Sequence, residues 1–331
     1  MRPLEAEPVQ IEWHPGLPIY ASPAILKSEG GTYGWIGGLD PAGQLRCILP
    51  YTILRKAGFQ MVRFRTATLP LEGDLSLDEE KSFLNSVVEH FRSVGADLIL
   101  PSGNTAIFRT YPDGADAAPY GTVIKDLSQS EAVLWSELRM THRQNIRKAK
   151  TAGVEIRCGL DYLDASYELT AETMKRSGAS FKTYREYKRR ILGLGENVKI
   201  FVAIHHSKFE GCMVAPFSLH TAYDCYAGSA EKPVRGAMPL LHWEAICQFR
   251  AMGVKFFDFQ GMRIGPETGS KQEGIAGYKR GFGGNVVEGY VWKFPLRPLK
   301  FAAYSLAVRL LMGGDTVDQE RHKLVGATSA G

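Results

Sequence analysis

Tyr278, Lys279 and Arg280 stand directly ahead of Gly281, Phe282, Gly283 and Gly284. This spacing lets an ammonium group and close-packed backbone converge on one small volume. Glycine permits the close approach, and a lysine beside it can stabilise negative charge developing on an oxygen. The stretch leading there opens with an apolar run, Val254 to Phe259, of strand composition, which carries one acid, Asp258. A glycine- and polar-rich loop from Gly261 to Gly277 follows. On spacing alone the same residues also read as a strand, a surface loop and a glycine turn. Asp258 and Glu244 are the candidates for a general base, although Asp258 reads equally as a structural carboxylate capping a neighbouring backbone. His205, His206, His220 and His242 show no ligand spacing with acids or cysteines, so they read as structural or surface residues and no metal is expected.

A second group of cations lies upstream. Ser128 and Glu131 form a capping box, and Leu134, Leu138 and Ile146 line one side of a single helix predicted to run to Gly153. Arg139, Arg143 and Arg147 recur every four residues, so they stack on one face and repel by a few tenths of a kcal/mol per pair. Such a stripe suits an anionic partner such as phosphate, or a solvated face paired with acids elsewhere. Further on, Val291 to Met312 interleaves Lys293, Arg297, Lys300 and Arg309 with Trp292, Phe294, Phe301 and Tyr304. A basic, aromatic helix of this kind either lies on an anionic membrane surface or packs its apolar side on the protein body.

The elements that must hold these residues alternate between strand and helix patterns. Tyr33–Ile36 and Leu45–Leu54 read as a hairpin around Asp40–Gly43. Glu79–Val94 reads as a helix stopped by Gly95, and Leu98–Pro101 as a buried strand. Phe108–Thr122 looks like loop, with a strand resuming at Val123–Asp126. The second half continues with a strand at 154–157, helices at 162–176 and 184–192, and a strand at 198–205. The segments 211–219 and 221–226 then read as adjacent antiparallel strands, followed by a helix over 239–252 and the strand at 256–259. This order is an α+β plan, echoed coarsely by the first half.

Composition bounds the function without naming it. At 331 residues the chain exceeds the usual size of a single core, so two domains of about 150 residues are expected. A hydrophobic fraction of 44% and a charged fraction of 23% belong to an ordinary folded protein. The net charge of +5 permits an anionic ligand but is too small to mark a nucleic-acid binder. Five scattered cysteines without a Cys-x-x-Cys pair fit reduced thiols in a cytoplasmic protein. Prolines and acids in MRPLEAEPVQIEW interrupt any signal core, and no apolar run of about 18 residues suggests a membrane span.

Three segments together carry a resemblance. THRQNIRKAKTAGVEI (141–156), YAGSAEKPVRGAMPLLHWEAI (226–246), and FFDFQGM (256–262) with GIAGYKRGFGG (274–284) are similar, in order and spacing, to the FemABX-like branch of the GNAT acyltransferase superfamily. The resemblance covers roughly residues 105–290. It implies two GNAT-like domains, each a mixed, mostly antiparallel sheet flanked by helices. The first spans 1–140 with the segment 291–331 returning to it, and the second, catalytic domain spans 141–290. No stretch can form the long helical hairpin arm that some members carry.

The resemblance further implies an aminoacyltransferase that takes an aminoacyl group from aminoacyl-tRNA and joins it to an amine of a nucleotide- or lipid-linked peptidoglycan-type precursor. Lys279 after Tyr278 matches the aromatic–lysine pair beside the acyl-transfer centre, where the family usually has Phe before the lysine. Tyr226 matches a tyrosine near the acceptor, and Arg235 a position that supports anionic groups, with Arg143 and Arg147 as further substrate-binding candidates. The loop before residue 239 stands where a general GNAT enzyme holds the pyrophosphate of coenzyme A, but the glycine-rich signature is absent. That absence lowers the acyl-CoA reading, which stays as the alternative: an N-acyltransferase using acyl-CoA or an acyl carrier protein on an amino sugar or amino acid. A non-enzymatic RNA- or membrane-surface-binding module is a third reading. No cofactor is expected, and the location implied is cytoplasmic, with peripheral contact to the inner membrane surface through 291–312.

Overall fold

Turn chemistry and apolar alternation build the first half. Asp40 Oδ1 accepts from the amides of Ala42 and Gln44 at 2.9 and 3.0 Å, which fixes the turn between two long strands. The protein is described by a computed structural model that covers residues 3–28, 32–71 and 73–321. The last ten residues of the expected C-terminal return lie outside the described residues. The first half runs β1 (Glu5–Val9), one 3-10 turn (Ile19–Ala21), α1 (Pro23–Ser28), β2 (Thr32–Leu39), β3 (Leu45–Lys56) and β4 (Phe59–Phe64). It continues with β5 (Leu69–Pro70), α2 (Leu77–Ser93) and β6 (Leu98–Ile99). Ser76 and Glu79 cap α2 reciprocally, and Phe83, Leu84, Val87, Val88 and Phe91 form its buried face. Burying each of these side chains contributes about 1.5–3 kcal/mol.

The second half runs β7 (Asp116–Asp126), α3 (Glu131–Ser136), α4 (Met140–Thr151), β8 (Glu155–Cys158), α5 (Leu163–Arg176), α6 (Tyr184–Leu192), β9 (Val198–His205) and β10 (Lys208–Pro216). There follow β11 (Thr221–Tyr223), β12 (Tyr226–Ser229), α7 (Ala237–Ala251), β13 (Phe256–Asp258), α8 (Lys271–Arg280), β14 (Asn285–Pro295) and α9 (Pro298–Met312). A ten-stranded mixed sheet has the order β1-β2-β3-β4-β6-β14-β7-β13-β11, with β5 on β3, and a second sheet has the order β12-β10-β9-β8. Two pairs are parallel, β4 with β6 and β11 with β13. Each is joined by one helix, α2 or α7, so each half contains one strand–helix–parallel-strand unit. The α+β plan with sheets flanked by helices is thus as expected. The longest described helix, α2, has 17 residues.

Several expectations are corrected. Residues 116–122, expected as loop, belong to β7. Pro119 is tolerated there because its partner Tyr290 turns both backbone groups the other way, to Phe108 (2.9 and 2.7 Å), so the pair needs no proline N–H. The single helix expected from Ser128 to Gly153 is two helices, the first capped by Ser130 rather than Ser128 and the second entered at Arg139 without a side-chain cap. The break leaves the Arg139 amide free to donate to Gly281 O at 2.8 Å. Thr221–Tyr226 is not one strand: the chain leaves the large sheet after Tyr223 and enters the small one at Tyr226. The loop expected to reach Gly277 ends at Ser270, whose hydroxyl caps α8, because Gly274 and Gly277 sit inside the helix and mask its pattern. Finally, 291–312 is not one helix, since Trp292, Lys293 and Phe294 lie on β14 with Trp292 and Lys293 buried.

One contact fixes the helix break against the glycine run. Lys125 on β7, fully buried, donates to Glu137 Oε2 at 2.6 Å and to Phe282 O at 2.9 Å. Gly283 has φ 74°, and a Cβ there would stand 2.8 Å from Glu137 Cβ and 3.1 Å from Lys125 Nζ. Removing one partner of a buried charge leaves the other desolvated without compensation. Glu137→Gln is therefore expected to lower the free energy of unfolding by about 2 kcal/mol, read by urea denaturation. Adding Lys125→Met should recover part of the loss.

Candidate active site

Where β11 and β13 end, the two sheets part, and their carboxyl ends carry Asp224 and Asp258. Ligands of α/β sheets sit outside such ends. The β13 strand delivers Asp258, whose Oδ1 accepts from the Thr122 hydroxyl on β7 and from the Gln260 amide at 2.7 Å. Gln260 holds φ 51°, a left-handed conformation uncommon outside glycine, and its side-chain amide donates to the Tyr20 hydroxyl at 3.0 Å. This turn presents the carbonyls of Gln260 and Gly261 to Lys279 on the last turn of α8. Nζ of Lys279 donates to both, the second at 2.7 Å. An ammonium has three donors, so one remains.

The electrostatics follow from burial. Burial pulls the Lys279 pKa below the ordinary lysine value, while Asp224 and Asp258 push it back up. Burial raises Asp258 to about 6; the Thr122 and Gln260 hydrogen bonds and Lys279 oppose the rise, and Asp224 adds to it. Tyr278 is raised well above the usual phenol value by burial and then by Asp224. Lys279, Tyr278 and Asp258 therefore share one desolvated cluster. Asp258 also faces a cavity of about 410 Å³, lined in addition by Thr122, Tyr223, His220, Asn104 and Asn285. Lys279 does not line this cavity; its Nζ sits on the carbonyls of Gln260 and Gly261 instead.

Sequence reasoning missed the residues that support this cluster. On α7, His242 is buried rather than on the surface. Its Nε2 lies 3.0 Å from Asp224 Oδ2, and its Nδ1 lies 2.9 Å from Met238 O and 3.1 Å from the Tyr278 hydroxyl. Asp224 Oδ1 is buried with no hydrogen-bond partner among the described residues. His142 on α4 donates from Nε2 to Tyr278 O at 3.1 Å, and a Cβ on Gly281 would stand 2.3 Å from its ring, which is why glycine occupies that position. The available signals were weak: one acid in the apolar stretch 221–226, and one histidine among the apolar residues of α7.

The other expected residues lie apart. Tyr226 packs on Phe181 and Tyr187 with Lys182 Nζ 5.1 Å from its ring. Arg143 donates to Ser136 O at 2.9 Å and Arg147 lies over Trp135 at 5.7 Å, so both turn to α3. Arg235 is exposed and donates from Nε to Asn145 Oδ1 at 3.1 Å. Asn145 is two residues from both Arg143 and Arg147, so it faces another side of α4. Glu244 bridges to Lys150 at 2.7 Å on the seam between α4 and α7. Among the described residues, no three His, Cys, Asp or Glu side chains come together as a metal set.

The α7 N-terminus bears on a coenzyme A pyrophosphate. There the Ala237 amide donates to Val234 O, Leu240 donates to Gly236 O, and Pro239 has no N–H. Gly236 has φ 90°, and Asn145 O lies 2.0 Å from where its Cβ would be. With Ala237 engaged, Pro239 lacking a donor and Gly236 pressed against α4, this end is a poor cradle for phosphate.

Comparison with known proteins agrees with this architecture. No curated protein matches the chain. A FemX crystal structure superposes with a TM-score of 0.65 at 12% identity, covering 89% of this chain and 99% of that one. The C-terminal domain of a putative lysylphosphatidylglycerol synthetase from Agrobacterium fabrum gives 0.50 at 13% identity, covering 84% and 89%. Residues 106–209 match the model of the FemAB family, a segment that holds α3 to α6 but precedes Asp224, His242, Asp258 and Lys279. The chain is thus similar to the FemAB family over residues 106–209, and it shares the fold of FemX over most of both chains.

Proposed function

We propose that the protein is an aminoacyltransferase, joining the aminoacyl group of an aminoacyl-tRNA to an amine of a nucleotide- or lipid-linked, peptidoglycan-type precursor. The observation that carries this reading is the desolvated Lys279 ammonium, held on the two carbonyls that directly follow the cavity-lining Asp258. The second half, 141–290, is the catalytic domain in this reading, with 1–140 and the return segment 291–331 as its companion.

The acceptor amine attacks the ester carbonyl carbon, a C–N bond forms, and its surplus proton passes to Asp258. The C–O bond to the ribose then breaks, and the ribose oxygen leaves with the proton returned by Asp258, which regenerates the carboxylate. Lys279, which does not line the cavity, acts through its positive charge on the oxygen that becomes negative rather than by touching it. Asp224, held by His242, keeps Lys279 charged despite burial, and Tyr278 closes the cluster on the α7 side. Amine attack on an activated ester is intrinsically feasible, so positioning and charge stabilisation supply most of the acceleration. The crowded first turn of α7 favours a tRNA donor over acyl-CoA.

Three outcomes test this. Supplied with charged tRNA or acetyl-CoA beside a panel of amine acceptors, the protein should transfer label from the tRNA ester; label arriving from the thioester alone sinks the donor assignment. Lys279→Met should lower kcat at least tenfold in a protein that still folds, with a lowered Tm because two carbonyls and two nearby carboxylates lose the ammonium. A base is active when deprotonated, so kcat/KM should fall as pH drops through about 6, and Asp258→Asn should lose that limb. The same group makes a signed contribution to stability. Its folded pKa is raised, so its contribution declines as pH rises from about 4, the unfolded value, through about 6. Relative to wild type, Asp258→Asn should therefore gain stability across that window, read by denaturant titration at each pH.

A further inference from the structure

The outer side of α9 is apolar and uncovered by the described chain. Leu299, Ala303, Leu306 and Leu310 recur at intervals of four, three and four, so they form one strip along the helix. Leu299 is 89% exposed, Leu306 60%, Leu310 77% and the flanking Leu311 84%. Ala302, Ala303 and Ala307 are exposed beside them. The opposite side fastens the helix to the body: Phe301 and Tyr304 pack on the cluster of Met61, Leu98 and Leu100, and Tyr304 meets the Phe59 ring edge-on at 6.1 Å. Lys300 Nζ donates to Asp97 Oδ2 at 3.0 Å and to Gly58 O at 3.2 Å. The helix is therefore rigidly presented, and its exposed leucines do not result from poor docking.

The charge around it is positive. The acids near α9 are already matched: Asp97 by Arg297 and Lys300, and Asp315 and Asp318 by Lys293. Arg309 on the outer flank, and Arg55 and Lys56 on the hairpin whose Gly58 touches Lys300, add further exposed cations. With 15 residues α9 is about 22 Å long, short of the roughly 30 Å hydrocarbon core. No helix among the described residues is long and apolar enough to cross a membrane.

We propose that α9 is an interfacial docking helix, which lays its leucine strip into the headgroup–acyl boundary of an anionic bilayer while the bordering cations meet lipid phosphates. The face used is the leucine strip, whereas Trp292 and Phe294 of the expected basic–aromatic segment are committed to β14. This inference stands on α9 alone and is independent of the acyl-transfer reading.

The test is sedimentation of the full chain with vesicles of phosphatidylcholine, or of phosphatidylcholine mixed with phosphatidylglycerol. Wild type should pellet with the mixed vesicles and weakly with the neutral ones. Leu306→Gln with Leu310→Gln, which leaves the inner face of α9 and hence the thermal melt unchanged, should lower the partition coefficient at least tenfold. Arg309→Gln with Lys56→Gln should lower binding to the mixed vesicles only. Equal pelleting of the leucine double variant overturns the proposal, and so does absence of binding to both vesicle types. A concentration-dependent dimer in sedimentation velocity, abolished by the same leucine changes without vesicle binding, would assign the strip to a second copy of the chain and overturn it as well.

Discussion

The buried ammonium of Lys125 ties together three segments that no local pattern relates: the central strand β7, the break between α3 and α4, and the glycine run after α8. A charge withdrawn from water must be fully satisfied, so Glu137 and Phe282 O have little freedom to move. That requirement decides where α3 ends and how closely the backbone at 281–284 approaches β7. Because α8 ends at this point, the same requirement sets the position of Tyr278 and Lys279.

The candidate site repeats the logic with the signs rearranged. One ammonium, Lys279, stands near two carboxylates, the partly buried Asp224 and the buried Asp258, and burial disfavours the ionised forms of Lys279 and Asp258. Their mutual attraction holds the cluster ionisable, and the left-handed turn at Gln260 aims two carbonyls at the ammonium. Backbone strain of this kind persists only where surrounding contacts over-determine it, and Tyr20 from the first half supplies one such contact. The site is thus completed across the two halves of the chain. Asp258 lines the cavity, whereas Lys279 does not.

Long-range pairing also explains the two faces of α9. Its inner side is specified by Asp97, Gly58 and Phe59, residues more than 200 positions away, whereas its outer side meets nothing in the described chain. A sequence window over 291–312 mixes a buried strand with this helix. It therefore averages the packed aromatics with the exposed leucines.

Much was legible from local pattern. The hairpin around Asp40–Gly43, α2 with its cap, the α+β order, the FemABX-like resemblance, and the pairing of an aromatic–lysine dipeptide with a glycine run all follow from residues close together in the chain. Periodicity, capping and turn preferences act over a few residues, which is why these features could be read. What tertiary structure alone decided was of longer range. The sheet switch between Tyr223 and Tyr226, the acceptance of Pro119 in β7, the broken helix at Glu137 and the recruitment of Asp224 and His242 each depend on partners supplied by distant strands and helices. Hydrogen-bond satisfaction and desolvation are properties of the assembled neighbours, and a one-dimensional sequence does not contain the distances that set them.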